Sequence, residues 1–283
     1  LPLVVISLVL GLACLPREGA KTPKKLALRP VIALSIMFFA FISALSAEHL
    51  MTFALLFIVG LVGAFLFVRF NRKESLIDLG ILQNHRFVAL IFSLLVYQAL
   101  LLGLSFVLPS FIQVSAGFSS SVAGLFMFPG ALIGAVLAPI SGKVLDQIGA
   151  RKPITTGLIL AALGLALLFV FLPTKSLALL LVAHIVLMLG LGISYSNLMT
   201  CSLSTLATDQ LSDGNALVNT LQQFIGAVAT AVVATTLSIF QGLNGFKVGT
   251  SHGTSIILAL FFILIIVSLI VSFPNLKKIR ANH

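Results

Sequence analysis

The sequence predicts an all-α integral membrane protein with eight full transmembrane helices and the end of a ninth. Of its 283 residues, 59% are hydrophobic and only 8% are charged, whereas soluble domains carry about 25% charged residues. The apolar residues form continuous runs close to the roughly 20 residues that a helix needs to cross a bilayer. They do not form the alternating segments of about ten residues that are typical of membrane barrels.

Short connectors join the hydrophobic runs, as in a compact helical bundle. The longest polar stretches, 16–30 and 69–86, are too short to hold a soluble core of their own. The predicted runs lie at 1–15 (partial), 31–47, 50–68, 87–109, 121–141, 154–172, 177–201, 216–240 and 254–273.

The basic residues give the orientation of the helices. Connectors alternate between the two sides of a membrane, and 15 of the 17 Lys and Arg residues fall in connectors of one side; the others are Lys175 and Lys247. Because positively charged connectors stay in the cytoplasm, this side and the C-terminus are predicted to be cytoplasmic. The net charge of +10 is therefore interpreted as a topology signal, and no nucleic-acid partner is expected.

Three predicted spans carry polar side chains at helical spacing. They are Asn215, Asn219, Gln222, Gly226 and Thr230 on one span, Ser194, Asn197 and Cys201 on another, and Ser93, Tyr97 and Ser105, with Gln98 beside them, on a third. Amides inside hydrocarbon are costly unless they face protein or water. Hydrogen bonding between helices is one explanation, but three such stripes favour a shared polar cavity. Spans 154–172 and 254–273 lack a stripe and are expected at the periphery.

A run of small residues followed by charges extends from Pro129 to Pro153. Small residues such as Gly130 and Gly134 are expected to let another helix come close. The charged stretch 142–152 is predicted to be a short cytoplasmic loop, with Gly142 and Gly149 permitting a tight turn. Such a charged hairpin can act as a hinge, a latch or a solvated turn.

Ionisable groups are almost absent from the predicted spans. The seven acidic residues all lie outside the middle of the membrane, and His184 is the only ionisable group inside a span. We interpret His184 as a neutral imidazole hydrogen-bonded within the bundle, with a proton-relay role as the alternative. Asp213 is expected to cap the helix that begins near Gly214.

Several function classes find no support in the sequence. It contains no GxxxxGK[ST] loop, no His, Cys and Asp cluster with metal-binding spacing, and no Ser accompanied by His and Asp. The sequence therefore predicts neither an enzyme nor ATP-driven transport, and no metal or cofactor. Cys14 and Cys201 lie in apolar runs without CxxC or His partners, which favours a small buried role for both.

Four segments resemble one known family. GKVLDQIGARKP at 142–153 is similar to a cytoplasmic loop motif of the major facilitator superfamily, with Gln147 where a basic residue is usual. The segments LIDLGILQNHRFV, GLFMFPGALIGAVLAPISG and LSDGNALVNTLQQFIGAVATAV also resemble its fourteen-span drug:proton antiporter branch. In order and at this spacing, they identify the chain as similar to the C-terminal part of such a protein, truncated at its N-terminus.

The resemblance implies a major-facilitator-type helical bundle and a domain organisation. The implied segments are the end of the family's sixth span at 1–15, a basic cytoplasmic loop at 16–30, two linker helices at 31–68, a cytoplasmic loop at 69–86, the C-terminal six-helix transporter half at 87–273 and a basic cytoplasmic tail at 274–283. In the family, the third and sixth helices of each half face lipid and the other four line the cavity. Here the lipid-facing helices would be 154–172 and 254–273.

The resemblance also implies roles for particular residues. The expected substrate cavity comprises Tyr97, Gln98, Asn197, Asn219 and Gln222, and the expected gating loop comprises Gly142, Asp146, Gly149, Arg151 and Lys152. Asp146 would dock near the start of a neighbouring helix and pair with a basic partner, locking the outward-open state. The alternative is a solvated ion pair with Arg151, which would contribute less than about 1 kcal/mol.

The function implied by the resemblance is secondary active transport in the cell membrane. The expected activity is proton-coupled efflux of amphipathic drugs or toxic compounds by alternating access. The proton-coupling residues are expected in the N-terminal half that the chain lacks. The alternatives are export of a lipid, siderophore or metabolite by the same fold and, from another class, a truncated non-transporting membrane or interaction protein.

Overall fold

The computed structural model describes residues 27–47, 49–74 and 76–276. Expectations for the run 1–15, for most of the 16–30 loop, for Glu48 and for 277–283 lie outside these residues. In the described part, the regular structure is helical, and eight helices are long and apolar enough to cross a membrane. The eight full spans predicted from the sequence are thereby confirmed.

The helices are numbered here in chain order. They are α1 (Leu28–Leu45), α2 (Leu50–Asn71), α3 (His85–Ser110), α4 (Ser120–Ile148), α5 (Arg151–Phe171), α6 (Leu177–Leu203), α7 (Leu211–Asn244) and α8 (Phe246–Asn275). Short 3₁₀ turns lie at Leu79–Gln83, Leu172–Thr174 and Thr208–Gln210, and a π-helical segment, Phe111–Ser115, continues α3.

Helix α3 lies at the centre of the bundle formed by α3 to α8. It packs against α6, α7 and α8, and apolar side chains along its whole length, from Phe87 to Leu108, are buried. An apolar membrane helix can face either lipid or other helices, and the burial of α3 shows that it faces mainly other helices. The core of the protein is therefore built around α3.

Helices α5 and α6 approach each other closely along their backbones, and glycines permit it. A Cβ atom at Gly157 would lie 2.6 Å from the Gly190 carbonyl oxygen, and one at Gly164 would lie 2.5 Å from the Leu187 backbone nitrogen. Inside a bilayer, such small residues allow the packing that holds helices together. The glycine expected at a close contact, Gly134, instead has no neighbouring atom within 4 Å of its Cβ position, so that expectation is wrong for Gly134.

Helices α1 and α2 form a hairpin beside the six-helix bundle. The two helices approach closely where a Cβ at Gly63 would lie 3.0 Å from the Met37 backbone. Helix α1 docks on α7 through stacked rings of Phe38 and Phe224, with centroids 4.2 Å apart. The Thr235 hydroxyl of α7 also donates to the carbonyl oxygen of residue 45, at 2.9 Å. The hairpin is thus attached to the bundle mainly through α7.

The expected loop at 142–152 is mostly helical. Helix α4 continues to Ile148 and α5 begins at Arg151, so Gly142 is a helical residue and forms no turn. Gly149 alone makes the turn, with a φ of +76° and its N–H donating to the Leu145 carbonyl. Glycine tolerates this conformation after a helix end because it has no Cβ.

Polar side chains connect the helix ends on the side of the bundle predicted to be cytoplasmic. The Asp213 carboxylate accepts a hydrogen bond from the backbone N–H of Asp78, at 3.1 Å, and Asn84 donates to the Thr205 carbonyl, at 2.9 Å. Helix α7 begins at Leu211, which places Asp213 inside its first turn. Asp213 is therefore not the N-cap that the sequence suggested. It connects α7 to the segment that precedes α3.

Candidate functional site

A hydrogen-bonded cluster of uncharged groups joins α3, α6 and α7 well inside the bundle. The Tyr195 hydroxyl donates to Gln98 Oε1 and accepts from Gln222 Nε2, each at 2.7 Å. All three side chains are partly exposed, so their polar atoms lie at the edge of the packed core. We call these three residues the amide–tyrosine cluster. It offers hydrogen-bond donors and acceptors without a formal charge.

Tyr97 lies behind this cluster, inside the packed core. Its side chain is fully buried, its hydroxyl is hydrogen-bonded to Ser194 Oγ at 2.7 Å, and its ring centroid is 6.5 Å from that of Tyr195. Ser194 Oγ is also bonded to the Gly190 carbonyl, at 2.7 Å. Tyr97 therefore joins α3 to α6 and supports the ring of Tyr195.

The two predicted asparagines lie apart from the cluster. Asn197 is 1% exposed and its amide donates to the Ile193 carbonyl of its own helix, at 2.8 Å. Asn219 is exposed on α7, and its amide donates to the carbonyl and the side chain of Asn215. Of the five predicted cavity residues, the structure thus brings together Gln98 and Gln222. A cavity role for the five remains a prediction.

The predicted stripe on α3 divides between different neighbours. Ser93 is bonded to Ser272 Oγ of α8, at 2.5 Å, and lies 3.3 Å from the Ser268 carbonyl. Ser105 donates to the Leu102 carbonyl of its own helix. Because α3 has neighbours on several sides, polar residues that share one face by periodicity find partners on different helices.

Tyr195, which connects the two glutamines, was not among the predicted cavity residues. A signal was present, since the chain has only two tyrosines and both lie inside apolar runs. The hydroxyl of a buried tyrosine usually finds a hydrogen-bond partner. A tyrosine next to Ser194 in the middle of a span was therefore a candidate.

A cavity of about 250 Å³ lies beside the amide–tyrosine cluster. We call it the α4–α6 pocket. Its walls are Leu101 of α3, small residues of α4, and an α6 wall that includes Tyr195 and Ser196. A second cavity, of about 290 Å³, lies between α3, α7 and α8 and is lined by apolar side chains such as Phe92 and Leu264.

The predicted gating residues surround the turn between α4 and α5. Asp146, Arg151 and Lys152 are exposed. The guanidinium carbon of Arg151 lies 4.3 Å from the ring centroid of Phe273 on α8, which is a cation–π geometry. Within the described ranges, the salt bridge found is between Arg29 and Glu74, at 3.7 Å, and none joins Asp146 to Arg151. The latch remains a prediction.

His184 lies deep between α4 and α6. It is fully buried, its ring stacks on Phe126 with centroids 5.3 Å apart, and a Cβ at Gly130 would lie 2.5 Å from its Nε2 atom. Neither ring nitrogen has a hydrogen-bond partner among the described residues. The expected hydrogen-bonded histidine is therefore not observed there, and the ring is held by packing. Cys201 is buried and free.

The fold and the cluster together define a multi-pass helical membrane protein with an uncharged polar site between its helices. Sites of this kind, with a few placed polar groups beside an apolar cavity, suit the binding of a small molecule. Among residues 27–47, 49–74 and 76–276, no group of His, Cys, Asp and Glu could hold a metal ion.

Comparison with known families assigns the chain to one of them. Residues 2–231 match the model of the Major Facilitator Superfamily, and the chain belongs to this family. The resemblance stated from the sequence motifs is thereby confirmed, and it points to a membrane transporter rather than an enzyme.

Curated relatives carry names that refer to drug resistance. The lincomycin resistance protein LmrB of Listeria monocytogenes is 29% identical over 248 residues, covering 85% of this chain and 53% of the relative. The multidrug resistance protein B homolog of Mycobacterium tuberculosis is 30% identical over 64% of this chain and 34% of its own length. The multidrug efflux pump LfrA of Mycolicibacterium smegmatis is 24% identical over 66% and 38%. The chain thus spans about half the length of its curated relatives, or less.

Proposed function

We propose that this chain is the C-terminal part of a secondary active transporter that exports amphipathic drugs or toxic compounds. The observation that carries the proposal is the amide–tyrosine cluster, in which three helices present uncharged hydrogen-bonding groups beside a cavity. Polar groups inside the membrane are costly and usually mark a substrate path. The names of the relatives support drugs as the class of substrate.

The proposal includes proton coupling and alternating access in the cell membrane, with the C-terminus in the cytoplasm. In the described part of the chain, acidic residues such as Asp78, Asp146 and Asp213 lie at helix ends or between helices. A proton-coupled carrier needs a titrating group within the membrane. We place the coupling carboxylates in the N-terminal half of the full transporter, with which this half would share the substrate path.

Gating is proposed at the cytoplasmic turn between α4 and α5. The exposed carboxylate of Asp146 is free to meet the other half of the transporter, while Arg151 is held over Phe273. Rocking of the two halves around a fixed site is the usual form of alternating access. Breaking the Asp146 contact would favour the inward-open state.

The decisive experiment changes one glutamine of the cluster and a neighbouring glutamine outside it. In the protein expressed from its complete reading frame, Gln222→Leu removes the amide that donates to Tyr195, whereas Gln223→Leu changes an exposed residue of the same helix. We expect Gln222→Leu to lower drug export by about tenfold, equivalent to about 1.4 kcal/mol, and Gln223→Leu to leave it unchanged. The measurement is efflux from cells over a panel of compounds, with membrane expression as a control. Export unchanged by Gln222→Leu for every compound would contradict the cavity role, and a wild type that exports no drug would contradict the function.

A further inference from the structure

The α4–α6 pocket shares one residue with the amide–tyrosine cluster. The Tyr195 ring lines the pocket, while its hydroxyl bonds to Gln98 and Gln222. Leu101, another lining residue, lies one helical turn from Gln98 on α3. An apolar cavity and a polar cluster are therefore continuous around a single side chain.

The wall formed by α4 is smooth because its side chains are small. Gly130, Ala131, Gly134, Ala135 and Ala138 all line the pocket. Gly134 has open space where its Cβ would be, although α4 packs against α6 on either side of it: a Cβ at Gly192 would lie 2.9 Å from the Leu137 Cβ, and Gly130 lies against His184 and Met188. The space beside Gly134 is therefore a gap within a packed helix contact, and it leaves a volume available to another molecule.

One end of the pocket is bounded by the residues around His184. Gly130 lies against the edge of the His184 ring and against Met188, and the ring of His184 is stacked on Phe126. The opposite end is lined by Tyr195 and Ser196, and the Tyr195 hydroxyl connects it to the amide–tyrosine cluster. A ligand would therefore point its apolar end toward His184 and its polar end toward the cluster.

We propose that the α4–α6 pocket receives an uncharged aromatic or branched alkyl group of the transported compound, whose polar part hydrogen-bonds to the amide–tyrosine cluster. This inference rests on the proposed transport function and specifies which compounds this half selects. No residue of the pocket or of the cluster carries a formal charge. An ionised group would therefore lack a partner in this low-dielectric site.

The volume sets the size of the group. A dry apolar cavity of about 150 Å³ holds one benzene molecule. The α4–α6 pocket, at about 250 Å³, therefore has room for a bicyclic aromatic group. This half of the transporter would therefore select compounds by the size of their apolar group rather than by their charge.

The first test fills the pocket with a side chain. In the transporter expressed from its complete reading frame, Gly134→Leu projects into the open space, and Gly124→Leu is the matched control on exposed α4 surface outside the pocket. The probes are the neutral N-phenyl-1-naphthylamine and the cation ethidium. Loss of the apolar contact should raise the KM for the neutral probe by about tenfold or more, with ethidium within about twofold of wild type.

Two results would overturn the proposal. One is an unchanged KM of Gly134→Leu for N-phenyl-1-naphthylamine, and the other is an equal loss for both probes at normal membrane expression. Should Gly134→Leu fold poorly, the smaller Gly134→Ala repeats the comparison with a smaller expected shift. A wild type that exports neither probe would contradict the proposed function. In that case the second test alone would decide whether the pocket binds the neutral probe.

The second test measures binding without transport. In protein carrying Cys14→Ala and Cys201→Ala, a cysteine is introduced by Ala135→Cys in the pocket, or by Val136→Cys, which is 52% exposed and outside the lining. N-phenyl-1-naphthylamine at ten times its dissociation constant should slow maleimide labelling of the pocket cysteine by about tenfold. The control cysteine should react at an unchanged rate. Equal labelling with and without the probe would overturn the pocket assignment.

Discussion

Tyr195 shows how one side chain organises the candidate site. Its hydroxyl is bonded to both Gln98 and Gln222, so three helices meet at one oxygen. Each amide retains a further hydrogen-bonding group. A ligand at the cluster can therefore exchange hydrogen bonds without leaving the glutamines unpaired.

Removing the Tyr195 hydroxyl should alter substrate handling more than stability. Tyr195→Phe keeps the ring but removes the shared partner of both amides. Hydrogen bonds between membrane helices are worth about 0.6 kcal/mol on average, so the expected loss of stability is below about 2 kcal/mol. We expect a changed substrate profile in efflux assays and a small decrease in the melting temperature in detergent.

Tyr97→Phe is the matched control, because the hydroxyl of Tyr97 meets Ser194 inside the core. It should lower the melting temperature by a similar amount and leave the substrate profile unchanged. A changed profile in Tyr97→Phe alone would reverse the assignment of the two tyrosines.

The residues of the site were predictable only in part. Helical spacing and the cost of amides in the membrane drew attention to Gln222, and to Gln98 beside the stripe of α3; the structure brings the two together, and their role in a substrate cavity stays a prediction. The same reasoning placed Asn197 in the cavity, yet its face of α6 is enclosed by protein. Spacing shows which residues share a face, but it does not show whether that face meets a helix or an open cavity.

At the level of the helices, glycine position decides where two elements can touch. The glycines of α5 and α6 lie at a backbone contact, whereas Gly134 of α4 lines a cavity. These glycines look alike in the sequence. Only the crossing of the helices, which depends on the whole bundle, distinguishes the two roles.

The α5–α6 contact should be sensitive to one added methyl group. A Cβ at Gly190 would lie 2.5 Å from the backbone nitrogen of Ala161, while one at Gly124 would meet no atom within 4 Å. Overpacking costs about 1–3 kcal/mol, so Gly190→Ala should lower the melting temperature clearly and Gly124→Ala should not. Thermal unfolding in detergent is the measurement. Equal melting temperatures would show that this helix pair can separate freely.

The turn between α4 and α5 gives a second pair of variants. Gly149 has a φ of +76° and Gly142 is inside a helix with open space around it. Gly149→Ala should destabilise the protein by about 1–3 kcal/mol through backbone strain. Gly142→Ala should be neutral or stabilising by up to about 1 kcal/mol. If both variants behaved alike, the helix end assigned to Ile148 would be wrong.

For the whole molecule, composition and charge distribution predicted the architecture well. The eight spans needed only hydrophobic run length, because a bilayer demands helices of similar length. The connectors were less predictable, as the charged segment 142–152 shows. A polar stretch at the end of a membrane span can remain helical in water. A hydropathy profile does not detect these last helical turns, because their residues are polar.

The membrane orientation can be tested on opposite sides of one helix pair. A cysteine introduced by Lys143→Cys, near the end of α4, should react with an impermeant maleimide only after the cells are opened. One introduced by Lys175→Cys, between α5 and α6, should react in intact cells, because connectors rich in Lys and Arg remain in the cytoplasm. The reverse pattern would invert the topology and place the turn between α4 and α5 outside the cell.

The attachment of the α1–α2 hairpin to α7 has a consequence for observing the protein at work. Helix α7 supplies Gln222, and the same helix holds the hairpin through Phe224 and Thr235. If α7 tilts during transport, the attached hairpin would move with it through the surrounding lipid. A fluorescent label on the outer surface of α2 would therefore report such a tilt from a position away from the amide–tyrosine cluster.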